Sequence, residues 1–91
     1  MEFDILLGDV HSLKQKRSVV RPLVAELRRL DVSVAEVGDH DLHRRARIGV
    51  AVTSGDAAQV TRVLDAAERL VAERPEIDLL SARRRIASSD D

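Results

Sequence analysis

The chain has 91 residues, no cysteine, one aromatic residue, and 15 basic against 16 acidic side chains, for a formal net charge of −1. That describes one small globular domain without disulfides or thiolate metal sites, and the charge balance is a poor footprint for a protein that coats nucleic acid. No apolar run approaches the roughly 18 residues of a membrane span, and the acidic opening Met1-Glu2-Phe3-Asp4 is unlike a signal peptide, so a cytoplasmic protein with no membrane partner is expected.

Glu2 to Leu7 alternates, with Phe3, Ile5 and Leu7 on one face, and reads as a half-buried strand broken by Gly8-Asp9. Ser12 followed by Gln15 reads as a capping box that opens a helix running to about Leu30, with Val20, Leu23, Val24, Leu27 and Leu30 at helical spacing. Pro22 lies ten positions into it, so a kink or a second helix start is expected near Ser18. The chain's only lysines, Lys14 and Lys16, sit here beside Arg17, while all thirteen other basic residues are arginine. Cations in the first turns oppose the helix macrodipole at roughly 0.3–1 kcal/mol each when exposed. A local rule broken without visible gain often marks function.

A second strand is expected over Val32 to Val37, ending at Gly38, with Val32, Val34 and Glu36 on one face. The polar loop Asp39-His40-Asp41-Leu42-His43 leads to a third strand from Arg45 to Thr53, with Ala46, Ile48, Val50 and Val52 inward. Ser54-Gly55-Asp56 turns the chain, and Asp56 with Gln59 forms another box-like cap. Ala57 to Glu73 is a strongly patterned helix, with Val60, Val63, Leu64, Ala67, Leu70 and Val71 forming one apolar stripe. Arg74-Pro75 ends it, Ile77 to Ile86 reads as the last strand, and residues 88–91 as a frayed acidic tail on a single domain of residues 1–87. The order strand, helix, strand, strand, helix, strand specifies an α+β, ferredoxin-like sandwich: a four-stranded antiparallel sheet with both helices on one face.

In that topology the loop after the first strand and the loop between strands two and three share one end of the molecule. Lys14, Lys16, Arg17, Arg44 and Arg45 therefore meet at an edge suited to phosphate, carboxylate or a nucleic-acid backbone. The competing reading is an ion-pair lattice in which Glu36, Asp39 and Asp41 neutralise the same cations. Arg83-Arg84-Arg85 falls at the opposite edge. Three other chemistries fit less well. His11, His40, His43, Asp39 and Asp41 offer zinc, iron or manganese ligands, but the His40–His43 spacing lies in a loop, so no metal or other cofactor is expected. An acylphosphatase-type enzyme on this sandwich implies a loop arginine, which Arg17 supplies, and an asparagine, of which the chain has none. Base stacking on the sheet face needs aromatics, and Phe3 is the only one. The outer face is expected to show Arg47, Gly49, Ala51 and Thr53 with Ala35, Leu80 and Ala82, a flat surface, and a homodimer through this face or through an edge strand is expected.

Two segments carry a family resemblance. Ser12-Leu13-Lys14-Gln15-Lys16-Arg17-Ser18-Val19-Val20, together with Val34-Ala35-Glu36-Val37-Gly38-Asp39-His40-Asp41-Leu42 and Arg44-Arg45-Ala46, resembles the hallmark segments of the YlxP-like family of small bacterial proteins, a domain of unknown function. Ser54-Gly55-Asp56 and Arg74-Pro75-Glu76 are similar to its turn positions. The resemblance implies a ferredoxin-like fold and a link to translation initiation or ribosome maturation, and it supplies no catalytic residue. It also implies a start a few residues earlier than Met1 and a different polar residue at position 40. The expectation is a non-enzymatic accessory protein that contacts RNA or the ribosome through the basic edge. The alternative is a dimeric protein-interaction module whose charged edge is a structural ion-pair network.

Overall fold

The computed structural model of the chain describes residues 1–85. Its elements follow the order β1 (Glu2–Leu7), α1 (Leu13–Arg28), β2 (Ser33–Gly38), β3 (Arg45–Ala51), α2 (Ala57–Ala72) and β4 (Ile77–Arg83). The strands form one antiparallel sheet in the order β2-β3-β1-β4. This is the α+β, ferredoxin-like βαββαβ arrangement. The expected tail, and Ile86 of the expected last strand, lie outside the described residues.

Period-two burial sets the sheet's inner face. Phe3, Ile5 and Leu7 of β1 are fully buried, as are Ala46 and Ile48 of β3, with Val34 and Val50 nearly so. The helices lay their stripes on this face: Val20, Leu23 and Leu27 from α1, and Leu64, Ala67 and Val71 from α2. Completely burying a Leu or Val side chain is worth about 1.5–3 kcal/mol, so these contacts, rather than caps, fix where the helices sit.

Pro22 does not divide α1, which runs as one helical segment with the proline inside it. The proline leaves the Ser18 carbonyl without its usual N–H donor, but Ser18 and Pro22 are both exposed, where water can take that role. The N-terminal box is also shifted by one residue. Gln15 N–H donates to Ser12 Oγ at 3.1 Å, but Gln15 Oε1 accepts from the His11 backbone at 2.6 Å rather than from Ser12. At α2, Asp56 Oδ1 accepts from Ala58 N–H at 2.9 Å, and Gln59 turns away to Arg62.

Two register shifts rearrange the outer face. One falls between Glu36 and Gly38, leaving Val37 unopposed; the other, between Asp4 and Ile5 against β4, leaves Leu80 unopposed. The second shift puts Ala82 opposite Phe3, so it packs against the core and not on the outer face as expected. The outer face is also less bland than expected. Arg45 bonds both oxygens of Asp4 at 3.1 and 3.0 Å, and Glu2 holds Arg47 at 3.2 Å and Arg83 at 3.0 Å. Its apolar part includes Ala35, Val37, Gly49 and Ala51 beside the outer strand β2, with Val37 so close over Gly49 that an added Cβ there would stand 2.9 Å from it, and Leu80 of β4 is a further exposed apolar side chain.

Candidate nucleic-acid interface

The two loops do meet at one end. Leu7 N–H donates to Arg44 O at 2.8 Å, and Arg44 Nε reaches back to Leu7 O at 3.3 Å. The deeper tie is Lys16, the one buried charged residue among those described. Its Nζ donates to the carbonyls of Asp39 at 2.7 Å and Leu42 at 2.8 Å, and stands 2.8 Å from Glu36 Oε2. The carboxylate contact is close but poorly aligned as a hydrogen bond, so its contribution is mainly charge against charge. Asp39 takes a left-handed backbone, φ 59°, and Leu42 N–H closes the turn on Asp39 O at 3.1 Å. The loop is thus folded around the Lys16 ammonium.

This corrects the expected site. Lys16 is an internal clamp with no surface to offer a ligand. Its ion partner is Glu36, whereas Asp39 contributes a carbonyl and the carboxylates of Asp39 and Asp41 enter no ion pair among the described residues. Arg45 leaves the edge as well, because strand alternation opposite to buried Ala46 turns it onto the outer sheet face, toward Asp4. Lys14, Arg17 and Arg44 remain exposed at the edge. A lysine suits the clamp better than an arginine. Its unbranched stem threads between apolar neighbours and ends in a compact charge with three donors, where a planar fork would not fit two carbonyls and a carboxylate.

On α1, Lys14, Arg17, Arg21 and Arg28 fall within an arc of about 60° and extend over about 21 Å of helix. All four are exposed and, among the described residues, none is in an ion pair. The helix's single acid, Glu26, is held by Arg74 at 2.9 Å. Six arginines elsewhere, Arg45, Arg47, Arg62, Arg74, Arg83 and Arg84, are paired with carboxylates, whereas Arg29, Arg44, Arg69 and Arg85 enter no ion pair among the described residues. Arg84, for example, bonds Asp65 at 2.7 Å and lies 3.5 Å from Glu68, and the Asp65 hydrogen bond raises its pKa, leaving it a fixed charge. Arg21 and Arg28 extend the row beyond the expected edge, which ended at Arg17. Their spacing from Lys14, at seven and fourteen residues, was the available signal.

Between α1 and β2 lies a groove of about 350 Å3, bordered by Leu13, Arg17, Val20, Arg21, Glu36 and His40, with Lys16 beneath. The histidines do not assemble a metal centre. His11 is 3.5 Å from Asp9, His40 lies 3.2 Å from the Glu36 carbonyl, and no group of three or more potential metal ligands occurs among the described residues. No helix among them is long and apolar enough to cross a membrane.

An α+β sandwich with a lysine-clamped loop and a one-sided cationic helix is the class of protein these observations define. The family model for a protein of unknown function, DUF503, matches residues 1–84, and the chain belongs to that family. It is similar to the uncharacterized protein YlxP of Bacillus subtilis, with 28% identity over 78 residues that cover 85% of each chain.

Proposed function

We propose that this is a non-enzymatic accessory protein of translation or ribosome maturation that contacts RNA or a ribonucleoprotein through Lys14, Arg17, Arg21 and Arg44. The observation that carries this reading is the row of unpaired cations along α1, in a chain whose arginines elsewhere on the sheet and on α2 are largely matched to carboxylates. A phosphate backbone complements a linear row of cations and releases counterions on binding, so local clustering compensates for a net charge near zero. Lys16 and Glu36 support the edge from inside by fixing the loop that carries Arg44. Capture of partners from lysate tests the proposal: they should be lost after nuclease treatment and weakened by Lys14→Ala with Arg17→Ala. Partners that persist through nuclease would overturn it.

A second reading is favoured by the unpaired outer edge of β2 and its apolar margin of Ala35, Val37, Gly49 and Ala51. There the chain is a dimeric protein-interaction module, and its charged edge is chiefly the Lys16–Glu36 network. Sedimentation separates the two, because a 10.1 kDa species at tens of micromolar removes the dimer.

A further inference from the structure

We infer that the groove between α1 and β2 seats an unpaired base of single-stranded RNA whose phosphates lie along the α1 cations. This rests on the RNA reading above and narrows its ligand from nucleic acid in general to single strands. The groove and the cationic row share Arg17 and Arg21, so a strand following the row passes the groove's mouth. Its volume is at the small end of ligand pockets, roughly 300–1,000 Å3, which suits one base and excludes a duplex.

The lining has the chemistry for a base. Leu13 and Val20 supply an apolar surface for a ring face, and the exposed His40 imidazole with the Arg17 and Arg21 guanidinium groups supplies planar stacking partners. Stacking on His and Arg planes is a standard way of holding splayed-out bases. Phe3, the only aromatic ring of the Phe, Tyr and Trp type, is fully buried and has no part in it. Glu36 adds an acceptor. Its Oε2 is covered against Lys16, while Oε1 accepts no hydrogen bond among the described residues and the side chain remains 25% exposed at the groove. Anions are repelled by that carboxylate, whereas the N–H edge of a base is attracted to it. The groove therefore complements the base, as the helix complements the phosphates.

Fluorescence anisotropy would compare a short single-stranded RNA with an abasic ribose-phosphate oligomer of equal length, an RNA duplex and a poly-glutamate peptide. The single strand should bind on the order of tenfold more tightly than the abasic oligomer, the scale of one stacked base. His40→Ala with Leu13→Ala, both exposed positions, should erase that difference without changing abasic affinity. Arg17→Ala should weaken both ligands. Equal affinity for abasic oligomer, duplex and single strand would overturn the groove inference and leave the RNA reading standing. No binding by any RNA, or poly-glutamate competing as well as RNA, would overturn both.

Discussion

Lys16 is the residue on which the edge turns. A cation in the second turn of a helix is unfavourable when exposed, but here its charge is buried beside Glu36 and its protons go to two loop carbonyls. Removing one member of a buried pair characteristically costs about 3–5 kcal/mol. Lys16→Met should therefore lower stability by about that much in chemical denaturation, and Lys16→Met with Glu36→Gln should recover part of the loss. Lys14→Ala, at an exposed unpaired site, should stay within about 0.5 kcal/mol. Lys16→Arg keeps the charge yet should still cost about 1–3 kcal/mol, since the fork overfills a site shaped for an ammonium; equal stability of that variant would show the site to be looser than described. Nothing in the structure explains lysine rather than arginine at position 14.

A separate residue-scale test lies at Asp31, which holds φ 65° directly after α1, with its N–H donated to Arg28 O at 3.2 Å. A left-handed backbone is strained for a residue with a Cβ, and a carboxylate opposes the helix C-terminus. Asp31→Gly should raise stability by about 1 kcal/mol, read from the denaturant midpoint.

At the scale of elements, α1 serves two masters on two faces. Lys16, Val20, Leu23 and Leu27 look inward, and Lys14, Arg17, Arg21 and Arg28 look out. The inward register was legible in principle, because Lys16 stands four residues before Val20 and seven before Leu23, the same stripe as the core leucines. Glu36 shares the parity of Val34, so an inward carboxylate facing an inward lysine was also there to be read. What concealed the pair is the ordinary habit of charged side chains to be exposed. A second helix start near Ser18, ahead of Pro22, does not occur, because the deprived carbonyl lies on the solvent side while the opposite face is pinned by the core. Register shifts at Val37 and Leu80 were not legible, since a bulge is defined by the partner strand. Their effect is to leave Val37 and Leu80, both exposed, without a partner across the sheet.

The whole molecule is a sandwich whose topology was readable from the order of patterned segments; β1 keeps its expected bounds, β2 starts one residue later, β3 ends two residues earlier and β4 ends at Arg83. That topology correctly placed the Lys14 segment beside the Asp39–Arg45 loop and sent Arg83 to the other end. Side-chain direction was beyond it: of the five basic residues first assigned to the edge, Lys16 turned inward and Arg45 turned onto the sheet's outer face. Charge is also distributed unevenly at this scale: Arg45, Arg47 and Arg83 on the outer face are matched to carboxylates, whereas the exposed row Lys14, Arg17, Arg21 and Arg28 on α1 has no carboxylate partner among the described residues. Binding should accordingly be salt-sensitive despite the net charge of −1.

The most direct test is therefore the salt dependence of affinity for a single-stranded RNA, measured for the natural chain and for the Lys14→Ala, Arg17→Ala, Arg21→Ala triple variant. Each lost phosphate contact should reduce the slope of log affinity against log salt by about 0.7, so the triple variant should lose about 2 from the slope while keeping its fold. An unchanged slope with weakened or undiminished affinity would contradict the assignment of these side chains to phosphate.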